Sequence, residues 1–213
     1  MMHTLKKGIL IAIEGIDGSG KSTLAKNLYD QLSKQQYPVL LTKEPGATPL
    51  GQYLRTLVQE KRVPITAKAE FLLFAADRAQ HFADVILPNL QQNKIIISDR
   101  MADSSIVYQG YGRGLDTAKI TMINEWVMQN KRPDITIYVH VSTQIATERI
   151  LQRNVALTSF EKEKQEFIQK LMHGFDTLYK DRKDVIIVDG TQSPEKVTAQ
   201  ALQEIVSRLH NSN

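Results

Sequence analysis

Gly15-Ile16-Asp17-Gly18-Ser19-Gly20-Lys21-Ser22 fits the phosphate-loop spacing G-x-x-x-x-G-K-[ST]. Its setting makes it more than a chance match. Ile9-Leu10-Ile11-Ala12-Ile13 before it is an unbroken apolar run, as expected of a strand buried on both faces. After it, Leu24, Ala25, Leu28 and Leu32 recur at helical spacing between polar residues. Strand, glycine-rich turn and helix thus come in the order that phosphate binding requires. Glycines let the backbone curl so that several N–H groups converge on phosphate oxygens at a helix N-terminus. Lys21 would bring a positive charge to the β- and γ-phosphates, and the Ser22 hydroxyl could hold Mg2+. A plain turn needs neither Lys nor Ser at those places. The stretch predicts a nucleotide site whose ATP-phosphate ligands are Gly15, Ile16, Asp17, Gly18, Ser19, Gly20, Lys21 and Ser22.

Four more apolar runs follow: Val39-Leu40-Leu41-Thr42, Lys94 to Ser98, Ile135 to Val139 and Val185 to Val188. Helical patterns separate them. The expected fold is therefore α/β: a five-stranded parallel sheet, its strands buried, with helices on both faces. The 213 residues suit a single domain over 1–213. Unpatterned Asn154 to Ser159, after a Gln144–Gln152 helix expected to present Arg149 and Arg153 four apart on one side, suggests a small mobile lid at about 149–160. A second amphipathic helix is expected from Phe160 to Tyr179.

Composition narrows the function. The net charge of +4 is scattered among acids with no basic stripe, so no nucleic-acid partner is expected. There is no cysteine, which removes disulfides and thiolate metal sites. No apolar run approaches a membrane span, and the run after the basic N-terminus is too short for a signal peptide. The expected address is the cytoplasm, with no membrane partner.

Several residues stand where ligands gather, at the carboxyl ends of parallel strands. Lys43-Glu44-Pro45-Gly46 follows the second strand, though alone it reads as an ordinary turn. Asp99-Arg100 follows the third, where a magnesium-associated carboxylate is usual. Phe74 and Arg78 lie four apart in a helical pattern from Ala67 to Leu90 and could flank one planar ligand. Periodicity alone favours Phe74 as core and Arg78 as a surface cation. Met101 to Gly114 is rich in hydroxyls and glycine and is poor core material, but a bland exposed loop would waste its two tyrosines.

Together these stretches resemble the bacterial thymidylate kinases, nearly end to end. The resemblance rests on Glu14 to Ser22, Glu44-Pro45-Gly46, Phe74 to Arg78, Asp99-Arg100 through Ser104-Ser105 and Tyr108-Gln109-Gly110, and Arg149 with Arg153. The phosphate loop alone marks only a superfamily; the Asp99 to Gly110 segment is close to diagnostic. The resemblance implies transfer of the γ-phosphoryl group of ATP to dTMP, with Mg2+, in a homodimer paired through helices. It implies that Phe74 stacks on thymine and that Arg78 reaches a base carbonyl. Ser105 and Gln109 would meet the base edge, and Tyr108 would crowd the ribose 2′ side. Asp17 would lie near the 3′-hydroxyl and the magnesium shell, and Arg100 would hold the acceptor phosphate. Glu44 and Arg55 would line the acceptor cleft, and Ser22 and Asp99 would carry the metal, directly or through water. Some members place an arginine in the phosphate loop, where this chain has Gly18. The catalytic cations here would then be Lys21, Arg100, Arg149 and Arg153. Lys43, Ala47 and Met101 depart from the usual family pattern. Two rivals remain at this stage: a kinase for another nucleotide or nucleoside, and a nucleotide-dependent switch.

Overall fold

The computed structural model describes residues 5–60, 62–153 and 156–211, with side chains through Leu209. Five strands form one wholly parallel sheet in the order β2-β3-β1-β4-β5. They are β1 (Ile9–Glu14), β2 (Val39–Lys43), β3 (Ile95–Asp99), β4 (Ile135–His140) and β5 (Val185–Asp189). The register sets Ile13 opposite both Asp99 and Ile137, so the phosphate loop starts between the ends of β3 and β4. A sheet buried on both faces needs apolar residues at every position, and the central strands supply them: all of β1 is buried. β2 and β5 correct the expectation of five buried strands. Both lie at the sheet edges, β2 is half-buried from Val39 to Thr42 and exposed at Lys43, and Ile187 of β5 is 55% exposed.

Helices α1 (Lys21–Lys34) and α9 (Pro194–Asn211) cover one face. Leu24, Ala25, Leu28 and Leu32 of α1 meet Val197, Ala201 and Ile205 of α9 above the isoleucines of β1, β3 and β4. The other face packs Leu10, Ala12 and Ile96 against Phe82 and Ile86. These last two belong to a long helix that follows α2 (Pro49–Glu60). It begins as α3 (Ala67–His81), widens by one turn over Phe82–Ile86 and ends as α4 (Leu87–Gln91). Thr66 caps its N-terminus by accepting from Ala69 N–H. Phe71, Ala75, Phe82 and Ile86 of its apolar stripe are buried within the protomer.

The stretch after β3 puts its tyrosines to use. Met101 to Gly114 is no exposed loop: Ala102–Ser105 is helical (α5), and Ile106–Gly112 continues it with wider turns. Its polar groups can be buried because other buried polar groups complete them, as described below. Helices α6 (Thr117–Val127) and α7 (Thr143–Gln152) start at Asp116 and Ser142, each capping through its side chain. α8 runs Gln165–Tyr179, five residues short of the expected start. Thr158 and Glu161 form a reciprocal cap in front of it: Thr158 N–H donates to the Glu161 carboxylate, and Glu161 N–H to the Thr158 hydroxyl. The turn then bends away into Lys164, whose backbone is extended. Of the expected lid, Asn154 and Val155 lie outside the described residues.

Candidate active site

The carboxyl ends of the strands surround a cavity of about 570 Å³. Its walls include Asp17, Gly18, Gly20, Lys21, Ser22, Glu44, Arg55, Phe74, Arg78, Asp99, Arg100, Ser105, Tyr108, Gln109, Arg149 and Arg153. The structure thus gathers into one cavity residues spread over more than half the chain. Gly15, Ile16 and Ser19 stand behind this wall: the Gly15 carbonyl accepts from Arg100, and Ile16 and Ser19 are buried. The loop's turns demand glycine. Gly18 has φ +80°, and a Cβ there would meet the Ala146 carbonyl oxygen at 2.3 Å.

At the phosphate end, Lys21 Nζ donates to Asp17 Oδ1 at 3.2 Å and to the Ile16 carbonyl at 3.4 Å. Arg100 donates to the same Asp17 oxygen at 2.6 Å, and also to Ser104 Oγ and Tyr108 Oη. Burial opposes ionisation of Asp17, but the charges of Arg100 and Lys21 overcome it and hold the carboxyl well below the usual range. Burial and the nearby Arg100 lower the Lys21 ammonium. Arg100 goes the other way, raised against burial by Tyr108, Asp17, Glu14 and Asp99. It also sits at φ +74°, a left-handed backbone that non-glycine residues adopt at a cost of about 1–3 kcal/mol.

Glu14 holds that loop. Fully buried at the end of β1, it accepts from Met101 N–H at 2.8 Å, Ser104 N–H at 3.3 Å and the Ser104 hydroxyl at 2.5 Å. Burial, with Asp103 adding to it, pushes the Glu14 carboxyl up to about 8. Met101 is 1% exposed and packs with the core cluster of Leu10, Phe82 and Ile96, while also forming part of the cavity wall. Ala47 is likewise unstrained, since it is not among the positive-φ residues.

Ser22 Oγ donates to Asp99 Oδ2 at 2.5 Å, while Asp99 Oδ1 is buried without a hydrogen-bond partner. A hydroxyl and an orphaned carboxylate oxygen fit a hard divalent cation that takes its remaining oxygens from phosphates and water.

At the opposite end, Arg78 overturns the surface-cation reading: it is 2% exposed. Its Nε donates to Glu44 Oε2 at 2.8 Å, its Nη atoms to Asn124 Oδ1, Ser105 Oγ and the Met101 carbonyl. Glu44 Oε1 is bonded to His81 Nδ1 at 3.0 Å, and His81 Nε2 to Thr42 Oγ1 at 2.7 Å. Burial would raise the Glu44 carboxyl, yet Arg78 and His81 keep it low. Glu44 therefore acts as the counter-charge of Arg78. Asp77 beside it is pushed up to about 6 by burial and by Glu44; one of its oxygens accepts from Gly46 N–H, and the other is unpartnered. Phe74 is half-buried on the cavity wall rather than core. Arg55 donates to the Pro45 carbonyl at 2.9 Å, and burial lowers its guanidinium.

Arg149 and Arg153 do not share one helix face. Arg149 donates to the Ser19 carbonyl at 3.2 Å and the Gly190 carbonyl at 2.9 Å, tying the phosphate loop to the turn after β5. Arg153 lies just past α7 with extended backbone and pairs with Glu161. The 158–161 turn is docked on α2: Ser159 donates its N–H to Gln59 O and its hydroxyl to Val58 O. That docking brings Phe160 into the cavity, 6.0 Å from the Phe74 ring and 5.8 Å from Tyr108.

Sequence reading missed Glu14, Asp77, His81, Asn124 and Phe160. Only the Thr158-x-x-Glu161 spacing carried a local signal, that of a capping box.

Comparison with known proteins agrees with this geometry. The thymidylate kinase family model matches residues 13–201. The chain belongs to the thymidylate kinase family. A thymidylate kinase of Halothermothrix orenii is 38% identical over 201 residues, covering 93% of this chain and 97% of that one. One from Acinetobacter baumannii (strain AYE) is 38% identical over 198 residues, covering 92% and 98%. The crystal structure of thymidylate kinase from Ehrlichia chaffeensis superimposes with a TM-score of 0.76 at 32% identity, covering 93% of this chain and 99% of that chain. The family's parallel-sheet phosphate-loop fold is the one seen here, and membership makes this chain a phosphotransferase.

Proposed function

We propose that this chain transfers the γ-phosphoryl group of ATP to dTMP, giving dTDP and ADP for dTTP synthesis. One observation carries the reading. A single cavity joins a phosphate loop at one end to an aromatic slot at the other, with Arg100 and Asp17 between them. Such a transfer asks for in-line alignment and charge neutralisation, not a covalent intermediate. The acceptor monoester is already anionic, so no strong base is needed. Phe74 stacks on the base, Arg78, Ser105 and Gln109 meet its edge, and Tyr108 crowds the 2′ position. Arg100 and Arg55 hold the acceptor phosphate, and Asp17 orients Arg100 and meets the 3′ side of the sugar. Lys21 and the loop N–H groups hold the donor phosphates. Arg153 is the cation best placed to leave its pairing with Glu161 and meet the transferring group, with Arg149 bracing the loop.

Ser22 and Asp99 would hold Mg2+. When bound, the ion would neutralise charge on the β- and γ-oxygens.

We read residues 1–213 as one domain with a lid at about 149–160, and the cytoplasm, where ATP is available, as its location. No described helix is long and apolar enough to cross a membrane. We also propose a homodimer. α2 packs on α3 and α3 on α6, and these helices leave Leu50, Tyr53, Leu57, Leu72, Met122 and Trp126 exposed, Tyr53 by 79% and Trp126 by 78%. Large apolar side chains left exposed on three successively packed helices support such an interface. The surplus lies on these residues and not in the Phe71–Ile86 stripe. Light scattering at micromolar concentration should give twice the chain mass; a monomer would exclude the pairing.

A coupled ADP-release assay across dTMP, dUMP, dCMP, UMP and thymidine tests the function. dTMP should give the highest kcat/KM, dUMP a lower one by about 10–200-fold for the missing methyl. Chelating divalent ions should stop all turnover. Equal kcat/KM for dTMP and UMP would sink the reading.

A further inference from the structure

Arg113, which ends the wide-turned segment after α5, touches neither phosphate site. Its side chain is nevertheless only 19% exposed and held on three sides. Nε donates to Glu70 Oε1 at 3.3 Å, and Nη2 lies 2.6 Å from Glu163 Oε1 as an ion pair without hydrogen-bond alignment. Its face lies against two rings, with Cζ 4.5 Å from the Phe167 centroid and 5.8 Å from that of Phe160. A guanidinium this far from water is tolerated only when its partners are fixed.

The partners belong to two different walls of the cavity. Glu70 stands on α3, one turn before Phe74, and is 1% exposed. Its Oε1 also accepts from Gln109 Nε2 at 3.0 Å, so one oxygen serves both Gln109 and Arg113. That bond turns the Gln109 amino end toward Glu70 and the carbonyl away from it. Glu163 stands at the end of the turn that carries Phe160, and its N–H donates to the Phe160 carbonyl. Phe160 in turn completes a group of three rings with Phe74 and Tyr108.

We propose that Arg113 is a positioning residue of the acceptor site. It sets the Gln109 amide and the Phe160 ring in one arrangement, so that reading the base edge and seating the 158–163 turn become one event. The proposal rests on the acceptor being dTMP, as argued above. Arg113 acts through Phe160 and Gln109 on acceptor binding, and not on phosphoryl transfer. Lysine cannot replace it, because one ammonium lacks the planar fork that spans two carboxylates and lies flat on two rings.

The test is calorimetric binding of dTMP, with ATP as reference ligand, to wild type, Arg113→Lys, Phe160→Ala and the double variant. Because it reads binding, its result stands apart from whether phosphoryl transfer occurs. Arg113→Lys should weaken dTMP about tenfold and ATP by less than about twofold, whereas in the Phe160→Ala background it should weaken dTMP by less than about threefold. Unchanged dTMP affinity, equal losses for both ligands, or a full tenfold loss persisting without the Phe160 ring would each overturn it. Glu163→Gln removes only the lid-side half of the clamp, at a side chain 25% exposed, and serves if Arg113→Lys does not fold. It should weaken dTMP about threefold, and not additively with Phe160→Ala. An unchanged affinity there overturns the proposal equally.

Discussion

Replacing Glu44 by alanine would expose how the acceptor end is held. Glu44 is 4% exposed, and its two oxygens are used by Arg78 Nε at 2.8 Å and His81 Nδ1 at 3.0 Å. Alanine leaves the Arg78 charge buried without its counter-charge, though Asn124, Ser105 and the Met101 carbonyl still hold the Nη atoms. Breaking one side of a buried ion pair costs about 3–5 kcal/mol. At roughly 2–4 °C per kcal/mol for a chain of this size, the unfolding midpoint should fall by roughly 6–20 °C. Glu44→Gln keeps the shape and one acceptor oxygen and should cost about 1–3 kcal/mol. The loss should also depend on pH. The folded-state carboxyl lies below its ordinary 4.5, so the stability it adds is present above that value and disappears as pH falls through the lower folded value. Urea denaturation at pH 7 and under acid conditions, with dTMP saturation alongside, measures all three effects. A Glu44→Ala protein within about 1 kcal/mol of wild type at pH 7 would refute the counter-charge role.

Phe74→Ala should weaken dTMP binding by about 1–3 kcal/mol, the usual worth of a stacking ring, with ATP little changed; equal effects on both ligands in calorimetry would return Phe74 to the core. Arg153→Ala should cut turnover at least about a hundredfold with ATP affinity nearly unchanged, whereas Arg149→Ala should also raise KM for ATP because it braces the phosphate loop. Near-normal kcat in both variants and in the double variant would leave charge balance to Arg100 and Lys21. Asp77, pushed up to about 6, holds its proton more tightly folded than unfolded, so its stabilisation is full below its ordinary 3.8 and lost as pH rises through about 6. Asp77→Asn should therefore gain stability relative to wild type, up to about 3 kcal/mol, between pH 4 and pH 7 in urea titrations. A gain larger at pH 4 than at pH 7 contradicts that sign.

The sheet and the phosphate loop were legible because both are local: an apolar run, a glycine turn and a helical stripe lie within a few residues of one another. The family segment from Asp99 to Gly110 pointed to the acceptor end for the same reason. What sequence left closed were partners far apart in the chain. Arg78 looks like a surface cation from its own helix; its burial rests on distant partners, among them Glu44 and Asn124, 34 and 46 residues away. Met101 to Gly114 is polar enough to be poor core material on its own, yet Glu14 completes Ser104 and Glu70 completes Gln109 inside the protein. β2 and β5 read as buried because their residues are apolar, while their places at the edges depend on strand order, which periodicity does not encode. Arg153 kept helical spacing in sequence, but the helix ends one residue before it.

Phosphorus NMR of a mixture of ATP, dTMP, Mg2+ and enzyme tests the central claim most directly. The account predicts that dTDP and ADP resonances grow in equal amounts, with no phosphorylated product when thymidine replaces dTMP. Inorganic phosphate released from ATP at the same rate with and without dTMP, and no dTDP, would contradict it and mark the chain as a nucleotide switch.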